Sequence, residues 1–101
     1  MVEKGYEVVW TKRSQKQMRQ VFKHISKDSP KNASKVVLEI ADAVHKAIPN
    51  PEIYGSDKYK TDNDGSYRAF EKHHYRVAYR FSKSVIRVLR VRHTSMEPLE
   101  Y

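Results

Sequence analysis

Arg76, Arg80 and two adjacent histidines, His73 and His74, stand together in "HHYRVAYRF" (residues 73–81). Arg87, Arg90, Arg92 and His93 follow in "VIRVLRVRH" (residues 85–93). Guanidinium groups bind and neutralise phosphate, and an imidazole titrating near neutral pH moves a proton in either direction. Between Tyr67 and His93, eight basic side chains stand against one acid, Glu71. Such a block favours a polyanion or an acidic polypeptide as partner; the plainer alternative is that it solvates a sheet.

The histidine pair is the weaker candidate. Neighbours in a strand or tight turn point to opposite sides, so His73 and His74 converge poorly on one metal ion or one proton, and they read as a hairpin turn. With no cysteine in the chain, thiolate sites and disulfides are excluded, and neither metal nor cofactor is expected. His24 and His45 fall on helical segments and read as ordinary surface residues. His93 differs because it ends the last strand. There it can protonate a leaving oxygen while Arg76 and Arg92 neutralise the developing charge, or it simply caps the sheet. No nucleophile elbow, glycine-rich phosphate loop or carboxylate pair stands out near the basic strands. Without metal or protein nucleophile, the compatible chemistry is cleavage of RNA, whose 2'-hydroxyl attacks the adjacent phosphate and leaves a cyclic product.

These residues need a scaffold, and 101 residues with a net charge of +8 make one domain, 1–101. The N-terminal stretch carries no signal-peptide pattern and no span is apolar enough for a membrane, so a cytoplasmic protein is expected. Tyr6, Val8 and Trp10 alternate as in a strand. Ser14 and Gln17 suggest a capping box opening a helix to about Lys27. Ser29 and Pro30 then open a second helix, whose stripe of Ala33, Val36, Val37, Ile40, Ala41, Val44 and Ile48 stops at Pro49. Residues 49–66, with two prolines and two glycines, read as a long loop of the kind that contacts partners.

Three strands follow, at Tyr67–Lys72, Tyr75–Phe81 and Val85–Arg92, joined by "HH" and "SKS". The order β-α-α-β-β-β predicts an α+β fold, with a helical hairpin packed on one face of a small, mainly antiparallel sheet. Period two puts Tyr75, Val77, Tyr79 and Phe81 under the helices and Arg76, Ala78 and Arg80 on the other face, expected to be open. In the last strand Leu89 and Val91 are expected inward, with Arg90 and Arg92 reinforcing the basic face.

"YRAFEKHHYRVAYRF", a short turn and "VIRVLRVRH", preceded by a strand and a helical hairpin, resemble the RelE/ParE superfamily of bacterial type II toxins. The resemblance implies a small basic toxin that causes growth arrest and is held inactive by a cognate acidic antitoxin. In RelE-like members the toxin enters the ribosome and cuts messenger RNA; in ParE-like members the same fold poisons DNA gyrase by binding. By position, Arg76 matches the arginine of the family's "YR-x-x-Y" strand, which in the nucleases contacts the scissile phosphate. Arg68 matches the first of two basic residues on the preceding strand, and the second falls on Phe70, which is not basic. His93 is placed like a general acid, Tyr101 like a C-terminal catalytic tyrosine, and Glu71 like a base, or else one half of a cross-strand ion pair. Arg68, Arg80, Arg90 and Arg92 are the expected phosphate or RNA contacts. The expectation is a ribosome-dependent endoribonuclease that inhibits translation, with gyrase inhibition as the alternative and a plain RNA-binding domain as a third.

Overall fold

Tyr6, Val8 and Trp10 are drawn beneath the helices by their apolar side chains, and this alternation sets the first strand. The computed structural model describes residues 5–101, as β1 (Glu7–Trp10), α1 (Lys12–Ser26), α2 (Pro30–His45), β2 (Tyr67–Lys72), β3 (Tyr75–Ser82) and β4 (Val85–His93), with a 3-10 turn at Thr94–Met96. The strands lie in the order β1-β4-β3-β2; β1 runs parallel to β4, and the other neighbours are antiparallel. This is the α+β arrangement expected. One sheet face presents Phe70, Tyr75, Val77, Tyr79, Ile86, Val88 and Val91 to Val21, Val36, Ile40 and Val44 of the helices. Each such side chain contributes roughly 1.5–3 kcal/mol when fully buried.

Helix α1 starts earlier than the Ser14 boundary, because Thr11 is its N-cap. The Thr11 hydroxyl accepts from the Ser14 amide at 3.1 Å, while Ser14, buried in the first turn, donates to the Thr11 carbonyl at 2.9 Å. The cap is fixed by the sheet, since the Thr11 amide also donates to the Val88 carbonyl at 3.2 Å. Gln17 serves β4 instead of a capping box. Its side-chain carbonyl accepts from the Val91 amide at 2.6 Å, a donor that β1, ending opposite Val88, is too short to reach. Helix α2 has the expected Ser29 cap, accepting from the Asn32 amide at 3.1 Å, with Pro30 first in the helix. It ends at His45 rather than at Pro49, and the chain reaches the proline through tighter turns in which the Ala47 and Ile48 amides bond three residues back.

A bulge explains the irregular pattern of β4. Ala78 pairs with Arg90 but Tyr79 pairs with Val88, leaving Leu89 as the extra residue. Parity therefore flips once: Ile86 and Val88 face the core before it, and Val91 and His93 after it. Leu89, expected inward, is half-buried on the outer face beside Arg87 and Arg90.

Both hairpins of the meander have two residues in the left-handed region, His73 and His74 (φ 53° and 68°) and Lys83 and Ser84 (φ 49° and 65°). Turns of this hand suit the twist of the strands but favour Asn-Gly. Each non-glycine residue there costs about 1–2 kcal/mol. Replacing Ser84 with glycine is therefore expected to stabilise the fold by about 1 kcal/mol, read as a higher urea midpoint at unchanged slope.

Candidate functional site

Arg76 and His93 do not meet. In the β3–β4 register Arg76 lies opposite Arg92 on the outer face, whereas Tyr75 lies opposite His93 on the helix face. The His93 ring meets the Tyr75 ring edge-on at 5.1 Å, and its Nδ1 faces the Ser95 amide and hydroxyl at 3.1 and 2.8 Å. It lines a hollow of about 470 Å³ between α1 and the end of β4, together with His24 and Gln20. Arg68 is also displaced from the expected cluster. It pairs with Tyr79 and so belongs to the helix face, where its guanidinium donates to the carbonyls of Gly65 at 2.8 Å and Tyr54 at 3.1 Å and reaches Glu52 at 3.5 Å.

The outer face is not open. Residues 57–60 of the loop and segment 97–101 fold over it, while Pro51 and Tyr54 pack on the helix-face side against Tyr79, and two carboxylates that no spacing in the sequence gathered, Asp57 and Glu97, arrive beside the arginines. Asp57, with a side chain 0% exposed, accepts from the Arg76 guanidinium at 2.9 Å, the Tyr101 hydroxyl at 2.5 Å and the Tyr59 amide at 3.1 Å. Burial alone would push the Asp57 carboxyl up, but the hydrogen bonds from Tyr101, Arg76 and Tyr59, with the Arg76 charge, hold it below the usual carboxylate range. Burial likewise pulls the Arg76 guanidinium down, and Asp57 and Glu71 outweigh it, so the arginine stays firmly charged.

Glu71, opposite Arg76 across β2 and β3, bonds it at 3.2 Å and is the cross-strand partner rather than a free base. Tyr59 lies beneath the same guanidinium, 4.6 Å from ring centre to carbon. Glu97, its side chain 5% exposed, holds Arg92 at 3.0 Å and lies 4.0 Å from Arg90. Arg90 also donates to the Leu99 carbonyl at 2.6 Å and stacks 4.0 Å from the centre of the Tyr101 ring. The Tyr101 phenol is pushed up by burial first and by its bond to Asp57 second, so it remains protonated as a donor.

Thus Arg76, Arg90 and Arg92 lie on one face, as the alternation required, but each is engaged by a carboxylate within the fold, with the buried Arg76 Nε alone left without a hydrogen-bond partner among these contacts. Tyr101 is brought to Asp57, not to His93. Arg80 alone of the expected phosphate contacts is exposed, with Arg87 beside it. The organising residues that the sequence did not reveal are Asp57, Tyr59 and Glu97. Their one signal is stoichiometric: a half-buried sheet with this many arginines needs acceptors, and the nearest acids lie in the aperiodic segments flanking it. Among the described residues no three histidine or acidic side chains gather in a way that could hold a metal ion, and no helix is long and apolar enough to cross a membrane.

This architecture is shared with known proteins. A chain of the chromosomal ParDE toxin–antitoxin system from P. aeruginosa superimposes with a TM-score of 0.68 at 16% identity, covering 87% of this chain and 95% of that one. A chain of the toxin–antitoxin complex RelBE2 from Mycobacterium tuberculosis gives 0.58 at 17%, covering 88% and 98%. At such identities the likeness speaks for the fold alone. No curated protein sequence matches. The family described as "ParE toxin of type II toxin-antitoxin system, parDE" matches residues 8–98, from β1 through the segment that carries Glu97. The chain therefore belongs to the ParE toxin family of type II toxin–antitoxin systems.

Proposed function

We propose that this toxin acts by binding its target rather than by hydrolysis, that the target is DNA gyrase, and that a cognate acidic antitoxin neutralises it. The observation that carries the reading is the state of Arg76. A catalytic arginine must offer its guanidinium to a phosphate, yet this one is 8% exposed, engaged by Asp57 and Glu71, and on the opposite sheet face from His93. A general acid and an electrostatic stabiliser that cannot reach one phosphate do not make a nuclease site. The family match, to ParE toxins, points the same way.

The alternative, a ribosome-dependent endoribonuclease, would have to use the His93 hollow without Arg76. One substitution separates the two. Loss of a general acid costs about 10²–10⁴-fold in rate, so a nuclease would lose growth arrest with His93→Ala. On the binding reading His93→Ala is expected to arrest growth as wild type does. Purified wild-type protein is expected to inhibit gyrase and accumulate cleaved DNA while messenger RNA in a translating extract stays intact. Cut messenger RNA with unaffected gyrase would reverse the assignment.

A further inference from the structure

Arg80 and Arg87 face each other directly across β3 and β4, and both are exposed. Like charges so placed weaken a sheet. Arg68, Arg76, Arg90 and Arg92 each have a carboxylate within 4.0 Å; among the described residues Arg80 and Arg87 have none. Arg80 makes no ion pair with Asp64, whose carboxyl is held below the usual range first by the Ser66 hydroxyl at 2.5 Å and amide at 2.9 Å and more weakly by the Arg80 charge. The sheet therefore divides its arginines into an ion-paired set and a pair, Arg80 and Arg87, that no carboxylate among the described residues holds within 4.0 Å.

That pair is the shared wall of two adjoining hollows. One, of about 450 Å³, adds Arg13 and Lys60; the other, of about 240 Å³, adds Lys83. The cations are positioned without ion pairs: Arg80 lies 5.2 Å and Lys60 4.7 Å from the centre of the Tyr67 ring. A strip of positioned, exposed cations without ion-pair partners suits consecutive phosphates. The aromatic faces along it are already occupied, Tyr67 by Lys60 and Arg80 and Tyr101 by Arg90. Unstacked bases of a single strand would find no free platform there, whereas a duplex presents only its backbone and needs none.

We infer that Arg80 and Arg87, with Arg13, Lys60 and Lys83, form a binding surface for the phosphate backbone of duplex DNA. The choice of duplex DNA rests on the gyrase reading, in which the toxin works beside DNA held by its target. The surface gives contacts to the backbone and no base readout, so binding is sequence-independent and strongly salt-dependent.

The test is fluorescence anisotropy of a labelled random-sequence duplex against the purified wild-type chain, the double variant Arg80→Gln/Arg87→Gln, and Lys31→Gln/Lys35→Gln. The last removes the same charge from α2, away from the strip. Wild type is expected to bind with a linear dependence of log K on log salt. The arginine variant should lose about 2 from that slope, at roughly 0.9 per phosphate contact, while the lysine variant keeps it. No binding by wild type, equal slopes for the two variants, or tighter binding to single-stranded RNA of equal length would each overturn the surface. The assay contains no gyrase, so its failure leaves the gyrase reading to its own test, and failure of that reading leaves this measurement intact.

Discussion

Asp57→Ala is expected to destabilise the protein by about 3 kcal/mol, near the lower end for breaking a buried ion pair from one side, because Arg76 retains Glu71. The loss is not that of one contact. It strands the Arg76 guanidinium in a site 8% exposed and removes the acceptor for the Tyr101 hydroxyl and the Tyr59 amide. For a domain of this size the thermal midpoint should fall by more than about 10 °C, measured by circular dichroism. Asp57→Asn gives the sign of the pH dependence. The carboxyl is held below its ordinary value in the fold, so its stabilisation is fully present above the unfolded value near pH 4 and is lost as pH falls through the folded one. The wild-type and Asp57→Asn stability curves should therefore be far apart at neutral pH and converge in acid. A gap independent of pH would show that the Asp57 charge is not what holds the network.

Tyr101→Ala carries the second large effect, again about 3 kcal/mol. It removes the ring stacked 4.0 Å from Arg90 and set edge-on to Tyr67 at 6.2 Å, and with it the charge-assisted bond to Asp57. Tyr101→Phe keeps the ring and should cost only the hydroxyl, about 1.5–3 kcal/mol. The backbone is tied at the same place, since the Thr61 amide donates to the Tyr101 carbonyl at 2.7 Å and the Tyr101 amide to that of Tyr59 at 3.0 Å. Hydrogen exchange at both amides should accelerate in Tyr101→Ala and much less in Tyr101→Phe. Because Asp57 and Tyr101 share a bond, the double variant should fall short of additivity by about 0.5–3 kcal/mol. Additive losses would mean that the two residues act independently.

The elements were legible because period carries them. Tyr75, Val77, Tyr79 and Phe81 could only be one face of a strand, and Ser29-Pro30 could only open a helix. What escaped the reading were features that periodicity does not encode. The bulge at Leu89 is a single extra residue, and it mis-assigned Leu89 while making sense of Ile86 and Val88. Thr11 took the cap from Ser14 because its amide was already fixed by Val88 in β4, a tertiary constraint invisible along the chain.

The site was half legible for the same kind of reason. That the "YRVAYR" arginines share one face follows from alternation; which of them remain free depends on where Asp57 and Glu97 come to rest, and loops carry no register. Arg76 was the most conspicuous candidate, and it is buried between Asp57 and Glu71 with its Nε left without a partner. Arg87, absent from the expected contacts, stands exposed beside Arg80.

The parallel pairing of β1 with β4 also governs how the fold can be reached. Glu7 and Val85 are partners although 78 residues separate them in the chain. The meander β2-β3-β4 closes through two-residue turns and can form by itself, but β1 has no edge to join until β4 exists. Loop-closure entropy must be met before that strand contributes anything, which slows folding relative to a helical domain of equal length. During synthesis the backbone of β1 must wait for its strand partner at the far end of the chain. The earliest strand in sequence is thus the latest in assembly, and the interval before β4 arrives is when this toxin's first strand is open to other chains.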